Sequence, residues 1–276
     1  MTLATLAQVL QPALHGGSAV AGLVTLGWED MCAYVAAAEA EGVPVILQAG
    51  PGCRDHTPLP VLGAMFRHLA EGASVPVVAH LDHGYCTEDC RIAIDCGFTS
   101  VMFDGSGGPL QQNIDETAAI AEMAHAAGVS CEGEIGFVGY ADGAASTGTA
   151  PDEAAQFARE TGVDAMAISV GNTHLQQKTG AGLDEDRIRA IEAVTDVPLV
   201  IHGGSGVPLD QRRHLARTSK ICKFNIGTEL RMVFGQSLRA ALANDPAVFD
   251  RNAILRATQD PMISAARQVL RAFKPT

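Results

Sequence analysis

Three of the nine histidines in this 276-residue chain sit directly after short apolar runs, in His80-Leu81-Asp82-His83-Gly84, Gly171-Asn172-Thr173-His174 and His202-Gly203-Gly204-Ser205-Gly206. Neutral imidazoles delivered from separate segments suit a borderline-soft cation such as Zn2+, which takes three protein ligands in a catalytic site and leaves a position for substrate. His83, His174 and His202 form the natural trio. His80 lies within its apolar run and reads as a core or supporting residue. His15, His56, His68, His125 and His214 fall on expected helices or loops and read as structural. A cation with Asp82 beside it could polarise a ketone while the carboxylate passes a proton during carbon–carbon cleavage.

Two glycine-containing segments point to an anion. Gly203-Gly204-Ser205-Gly206 and Asn225-Ile226-Gly227-Thr228 each open an expected helix. Glycines admit close backbone approach, and N–H groups at helix starts bind phosphate.

Elements that alternate along the whole chain must position these groups. Val43–Leu47, Val75–Ala79 and Val197–Ile201 are apolar runs with proline at the second residue, which reads as the start of a strand buried on both faces. Ala19–Val24, Ser100–Phe103, Ser130–Ile135, Ala165–Val170 and Ile221–Ile226 complete a set of eight. Helical stretches lie between them at Glu29–Glu41, Pro58–Glu71, Asn113–Ala127, Asp152–Thr161, Asp184–Ala193 and Asp210–Thr218. Gly42, Gly97, Gly128 and Gly162 stand where helices stop before strands, as left-handed caps would. This pattern predicts an α/β fold, a (β/α)8 TIM barrel with extra C-terminal helices, as one domain over 1–276. A doubly wound sheet would carry a glycine-rich fingerprint after the first strand, and none follows Ala19–Val24. The segment from Phe234 to Thr276 is expected to cover the barrel base or to meet another subunit. In a barrel the strand C-termini carry function, and the loops after the last two strands commonly hold phosphate.

The charge balance narrows the partners. With 31 acidic and 19 basic residues the net charge is −12, so nucleic acid and anionic membrane are not expected partners. An anionic ligand must therefore be held locally. No apolar run approaches the roughly 18 residues of a spanning helix. Met1-Thr2-Leu3-Ala4-Thr5 lacks the basic flank of a signal peptide, so a cytoplasmic location is expected. The seven scattered cysteines show no CxxC spacing and read as small buried apolar residues.

The motifs resemble the class II, zinc-dependent ketose-bisphosphate aldolases, including the fructose- and tagatose-bisphosphate enzymes. The resemblance covers nearly the whole chain. It is carried by Ala79-His80-Leu81-Asp82-His83-Gly84, Ser100-Val101-Met102-Phe103-Asp104-Gly105-Ser106, Glu132-Gly133-Glu134-Ile135-Gly136, Gly171-Asn172-Thr173-His174, His202-Gly203-Gly204-Ser205-Gly206 and Asn225-Ile226-Gly227-Thr228-Glu229. The resemblance implies that His83, His174 and His202 bind Zn2+. It implies that Asp82 gives a proton to the aldehyde-derived oxygen, and that Asp104 and Glu134 belong to a second metal or monovalent-cation position. Gly203, Gly204, Ser205, Asn225, Gly227 and Thr228 then cradle the phosphate of a dihydroxyacetone phosphate donor. A homodimer or homotetramer acting on a sugar phosphate is expected.

Four positions depart from the family pattern. Gly22-Leu23-Val24 replaces Ala-Phe-Asn, Gly50 stands near a usual serine, and Leu175 follows His174 where glycine is usual. The loop Gly139-Tyr140-Ala141-Asp142-Gly143 lacks the usual glutamate and offers Asp142 as the catalytic carboxylate in its place. These changes leave the metal set intact and bear on which ketose is cleaved. Two other readings are a metal-dependent hydrolase, whose frequent His-x-His at the first strand is absent, and a non-catalytic sugar-phosphate-binding relative.

Overall fold

The structure is a computed structural model describing residues 2–178, 180 and 182–274. In chain order it runs α1 (Leu6–Gly16), β1 (Val20–Val24), α2 (Trp28–Glu41), β2 (Val45–Ala49), α3 (Pro51–His56), α4 (Leu59–Gly72) and β3 (Val77–Gly84). Next come α5 (Thr87–Asp95), β4 (Ser100–Phe103), α6 (Leu110–Ala126), β5 (Ser130–Ile135), α7 (Pro151–Thr161), β6 (Ala165–Ile168) and α8 (Glu185–Glu192). The remainder is β7 (Leu199–Ile201), a 3-10 turn (Gly204–Gly206), α9 (Leu209–Thr218), β8 (Ile221–Ile226), α10 (Thr228–Asn244), α11 (Arg251–Arg256) and α12 (Gln259–Phe273). The strands pair in parallel in sequence order and β8 closes on β1, which makes the expected barrel.

Every expected run contains a strand, but four begin later than read, the first by one residue at Val20 and three others past a proline. Pro44, Pro76 and Pro198 fall just outside their strands, because a proline has no N–H for the ladder. Their carbonyls remain useful: Pro76 O accepts from Val45 N at 3.0 Å and Pro198 O from Met166 N at 2.9 Å. β3 runs on through Gly84 instead of ending at Ala79, pairing His80 with Ser100 and Gly84 with Phe103 of β4. The glycines expected to end helices all have positive φ, between 64° and 85°.

Alternation along the strands divides the core. Leu23, Leu47, Ala79, Val101, Ile168 and Phe224 pack beneath the surrounding helices. Val20, Ile46, Val78, Ala165, Val200 and Cys222 fill the lower barrel interior together with Leu6, Val9 and Leu10 of α1. The base is thus closed by α1 and not by the C-terminal segment. A sequence signal for α1 existed in Thr5-Leu6-Ala7-Gln8, a capping box in which Thr5 Oγ1 accepts from Gln8 N at 3.3 Å and Gln8 Oε1 from Thr5 N at 2.9 Å.

α12 lies instead on the barrel wall against α2 and β1, because its apolar stripe (Met262, Ala266, Val269, Leu270, Phe273) needs cover. Its polar edge grips the end of α2: Arg267, Arg271 and Lys274 donate to the Glu41 carboxylate at 2.8, 3.0 and 3.0 Å. Among the described residues no helix is long and apolar enough to cross a membrane.

Arg271, Arg267 and Lys274 hold the Glu41 carboxyl at about 2, below its ordinary 4.5. A carboxyl lowered in the folded state stabilises above its unfolded value, and that stabilisation is lost as pH falls through the folded one. Glu41→Gln should therefore lower Tm at neutral pH. The gap from the parent protein should narrow as pH drops from 4.5 towards about 2, as read by thermal unfolding at a series of pH values.

Candidate active site

Above the apolar base, the inward positions of the barrel become polar. Lys223 of β8 donates to Glu132 Oε2 of β5 at 2.6 Å and to His80 Nε2 of β3 at 3.2 Å. His80 Nδ1 donates in turn to Ser100 Oγ at 2.8 Å. The other oxygen of Glu132 accepts from His202 Nε2 at 3.1 Å. All four charged or imidazole side chains are fully buried. Burial and the neighbouring Lys223 push His80 down to about 3, so it stays neutral. Glu132 is held well below the usual carboxylate range, the Lys223 ammonium outweighing the cost of burial. By accepting the Nε2–H hydrogen bond of His202, Glu132 turns Nδ1 towards the upper cavity.

Successive residues on a strand face opposite ways, yet Asp82 and His83 both reach the cavity. His83 has φ +50°, and the β3–β4 register shifts between Leu81 and Gly84. That reversal brings the imidazole inward beside Asp82. Arg54 of α3 holds the distorted strand end, donating to the carbonyls of Ala49, Asp82 and His83 at 3.1, 2.6 and 2.9 Å. His83 Nδ1 donates to Asp104 Oδ2 at 2.8 Å, which leaves its Nε2 as a lone pair. Asp104 also accepts from Ser106 N at 3.1 Å and Ser106 Oγ at 2.6 Å. Burial works against its charge, but the His83 bond holds it at about 2.

His174 arrives on the loop after β6, where its N–H donates to Gly139 O at 2.8 Å and its carbonyl accepts from Ala141 N at 3.0 Å. The rings of His83, His174 and His202 lie 4.7 to 5.7 Å apart, with one ligand atom from each within 4.8 Å of the others. His83, Asp104 and Glu134 form a second, overlapping group.

His174 Nε2 is a buried nitrogen without a hydrogen bond, and His202 Nδ1 and Glu134 Oε2 lie 3.1 Å apart with no other partner. Such atoms are costly unless something binds them. Burial and the two other imidazoles lower His174 to about 3, which keeps its lone pair available. Burial opposes charge on His202, but Glu132 and Glu134 raise it to about 10; a nitrogen so placed attracts any cation, proton or metal. Asp82, Asp104, Glu132 and Glu134 gather about the three imidazoles, and Lys223, paired with Glu132, is a fully buried ammonium below them. The donor set therefore fits a divalent cation with imidazole and carboxylate ligands.

A cavity of about 280 Å³ opens from these groups. Gly203, Ser205, Asn225, Gly227 and Thr228 line it, as expected, while Gly204 is buried behind them. Gly203 has φ +64°, and a Cβ there would collide with the Thr173 carbonyl. Ser205 Oγ accepts from the N–H groups of Gly227 and Glu229, both at 3.3 Å, which ties the loops after β7 and β8 together. Asn225 Nδ2 donates to Asp82 Oδ1 at 3.3 Å. Val24, Gly50 and Leu175 all line the same cavity. Leu175 adopts φ +59°, a left-handed backbone that favours glycine. Asp142 is exposed in the turn closed by Tyr140 N and Ala144 O and does not line the cavity, whereas Tyr140 does, with its ring 5.0 Å from His174.

Glu132, Lys223, Arg54 and Tyr140 were not singled out by the sequence. Glu132 and Lys223 carried a signal, because a charged residue inside a fully apolar run needs a buried partner. Arg54 and Tyr140 carried none, since their roles depend on loop paths.

The sequence model of one family, described as fructose-bisphosphate aldolase class-II, matches residues 4–276. The chain belongs to this family. It is similar to a fructose-bisphosphate aldolase of Geobacillus stearothermophilus, 36% identical over 99% of this chain and 97% of that protein. It is also similar to a 6-phospho-5-dehydro-2-deoxy-D-gluconate aldolase of Shouchella clausii, 40% identical over 81% of this chain and 78% of that protein. Among solved structures, the YdjI aldolase of Escherichia coli K12 superposes with a TM-score of 0.86 at 28% identity, covering 99% and 98% of the two chains. The protein is a class II aldolase, a carbon–carbon lyase that cleaves a phosphorylated ketose with the help of a divalent metal.

For this aldolase, Glu132→Gln should weaken divalent-cation affinity by about 10- to 100-fold, the usual cost of losing a carboxylate behind a histidine ligand. Titration with a competing chelator would measure it. Unchanged affinity would remove Glu132 from the orientation of His202.

Proposed function

We propose that this class II aldolase holds one Zn2+ on His83, His174 and His202, with Glu134 and Asp104 forming the adjacent second cation position. The observation that carries this reading is the convergence of three imidazoles and the Glu134 carboxylate, with His174 Nε2 unpaired, beside a glycine-rich cavity wall. When bound, the cation polarises the ketone carbonyl as a Lewis acid. Gly203, Gly204, Ser205, Asn225, Gly227 and Thr228 take the donor phosphate through N–H and hydroxyl groups, so no net positive charge is required.

Asp82 moves the proton on the acceptor side. Burial raises its pKa, but the surrounding His83 and His202 leave it lowered overall, so the carboxylate rests ionised. In cleavage it takes the proton of the hydroxyl that becomes the aldehyde, and in condensation it returns that proton. Asn225 fixes one of its oxygens, and the missing side chain of Gly50 leaves the other open to the cavity. Asp142 is proposed as the carboxylate that exchanges a proton with the donor carbon, after the 139–144 turn swings inward. Its support is local: it lies two residues from Tyr140, on a segment bonded to His174.

The protein is proposed to work as a single-domain, cytoplasmic homodimer or homotetramer on a small sugar phosphate. Support for association comes from α10, which buries only Leu230, and from Phe249 at 94% exposure.

Removal of divalent metal by chelation should abolish cleavage, and Zn2+ should restore it at about one ion per chain. Asp82→Asn should reduce turnover by about 10² or more while zinc stays bound. Equal turnover in variant and parent would exclude Asp82 from proton transfer. Asp142→Ala should slow exchange of the donor proton with solvent at least about tenfold. Full exchange in that variant would assign the step to another group.

A further inference from the structure

Tyr140 reaches the active-site cavity from the loop after β5, a segment that departs from the family pattern. The loop is pinned on both sides of this residue. Gly139 O accepts from His174 N at 2.8 Å, and Ala141 N donates to His174 O at 3.0 Å. Gly139 N also donates to Ser146 Oγ at 3.0 Å, and that hydroxyl donates to the Asn172 carbonyl at 3.1 Å. Asp142 can swing on this stem while the phenol keeps its place.

The Tyr140 ring lies 5.0 Å from that of His174, and the Tyr85 ring lies 6.2 Å from that of His83. Both tyrosines are partly exposed, so they flank the imidazole group on its solvent side. Asp82, Asp104 and Glu134 are near enough to act on the Tyr140 phenol, but among the described residues only the Tyr85 hydroxyl bonds to it. A phenol both accepts and donates, so with Tyr85 as donor the Tyr140 proton is left for an acceptor in the cavity. The other polar lining groups are placed differently. Asn225 binds Asp82, Ser205 accepts from Gly227 and Glu229, and Arg231 lies near Asp30 and Tyr34. Tyr140 stands instead on the donor side, because His174 is packed on the cradle: a Cβ at Gly203 would meet the Thr173 carbonyl and His174 N.

Building on the aldolase reading, we propose that Tyr140 is a catalytic residue whose phenol donates a hydrogen bond to the oxyanion of the donor enediolate. In cleavage the acceptor hydroxyl gives its proton to Asp82, and the O–H electron pair becomes the second bond of the aldehyde carbonyl. The carbon–carbon bond breaks, and its pair moves through the donor to the donor carbonyl oxygen. A neutral phenol beside that oxygen binds the enediolate more strongly than the ketone, which lowers the barrier. The phenol keeps its proton throughout, and the donor carbon is protonated in a separate step.

The test uses zinc-loaded full-length protein and two phosphorylated ligands: phosphoglycolohydroxamate, an isostere of the enediolate, and glycerol 3-phosphate, which carries no such oxyanion. Tyr140→Phe keeps the ring beside His174 and removes only the hydroxyl. It should lower kcat for cleavage and the rate of donor proton exchange by about 10- to 100-fold, the scale of a lost hydrogen bond to a charged oxygen, with KM little changed. Calorimetry should show hydroxamate binding weakened by a similar factor, glycerol 3-phosphate binding unchanged and zinc content equal to the parent's. Parent-like turnover in Tyr140→Phe overturns the proposal. So does equal loss of affinity for both ligands, or loss of zinc, since Tyr140 would then only position the cradle or His174. A parent enzyme that neither exchanges the donor proton nor binds the hydroxamate more tightly than glycerol 3-phosphate overturns the aldolase reading itself. A parent that does both, beside an unaffected Tyr140→Phe, overturns only the role of Tyr140.

Discussion

Lys223 and Glu132 form an ion pair with no access to water, and the chemistry of the upper barrel is arranged around it. Neither charge could remain there alone, because an uncompensated buried charge costs about 3–5 kcal/mol. Together they fix two histidines in different states. Burial and Lys223 keep His80 neutral and pointed at Ser100, while Glu132 accepts the Nε2–H of His202 and leaves Nδ1 facing the cavity. The pair spans β5 and β8, so it also ties opposite sides of the barrel at the level where apolar filling ends. Above it the interior can be polar without collapsing.

A second constraint is the left-handed backbone at His83. A regular strand would bring either the carboxylate of Asp82 or the imidazole of His83 to the cavity, not both. The reversal supplies both, and Arg54 offsets its cost by binding the carbonyls that the irregular strand end leaves over. A carboxylate and an imidazole are thereby presented to one cavity by adjacent residues. Carboxylates gather around His83 and His202, while glycines and helix starts line the cavity after β7 and β8. A net charge of −12 and a phosphorylated substrate coexist because the two fields are local.

Much of this was legible in the sequence. The apolar runs located all eight strands, and their strand-end histidines marked three imidazoles that the fold brings together. α1 was also legible in its capping box, although only the structure reveals that it plugs the base. The C-terminal segment does not cover the barrel base, one of its two expected places, because an amphipathic helix announces a buried face without saying what buries it. His83 was chosen for its imidazole, but no residue type signals that its φ is positive. Tyr140 and Arg231 went unread for a different reason: each reaches the cavity through a loop or helix direction set by distant contacts. Asp142, read as a loop carboxylate, lies exposed because the turn around it folds back on Tyr140.

Leu175 is half exposed at the rim and holds a backbone conformation that costs a side-chain-bearing residue roughly 1–2 kcal/mol. Glycine would relax the chain there and widen the entrance at the same time. The leucine therefore acts as a threshold: its isobutyl group narrows the approach beside His174, screening entering molecules by girth before any polar group can examine them.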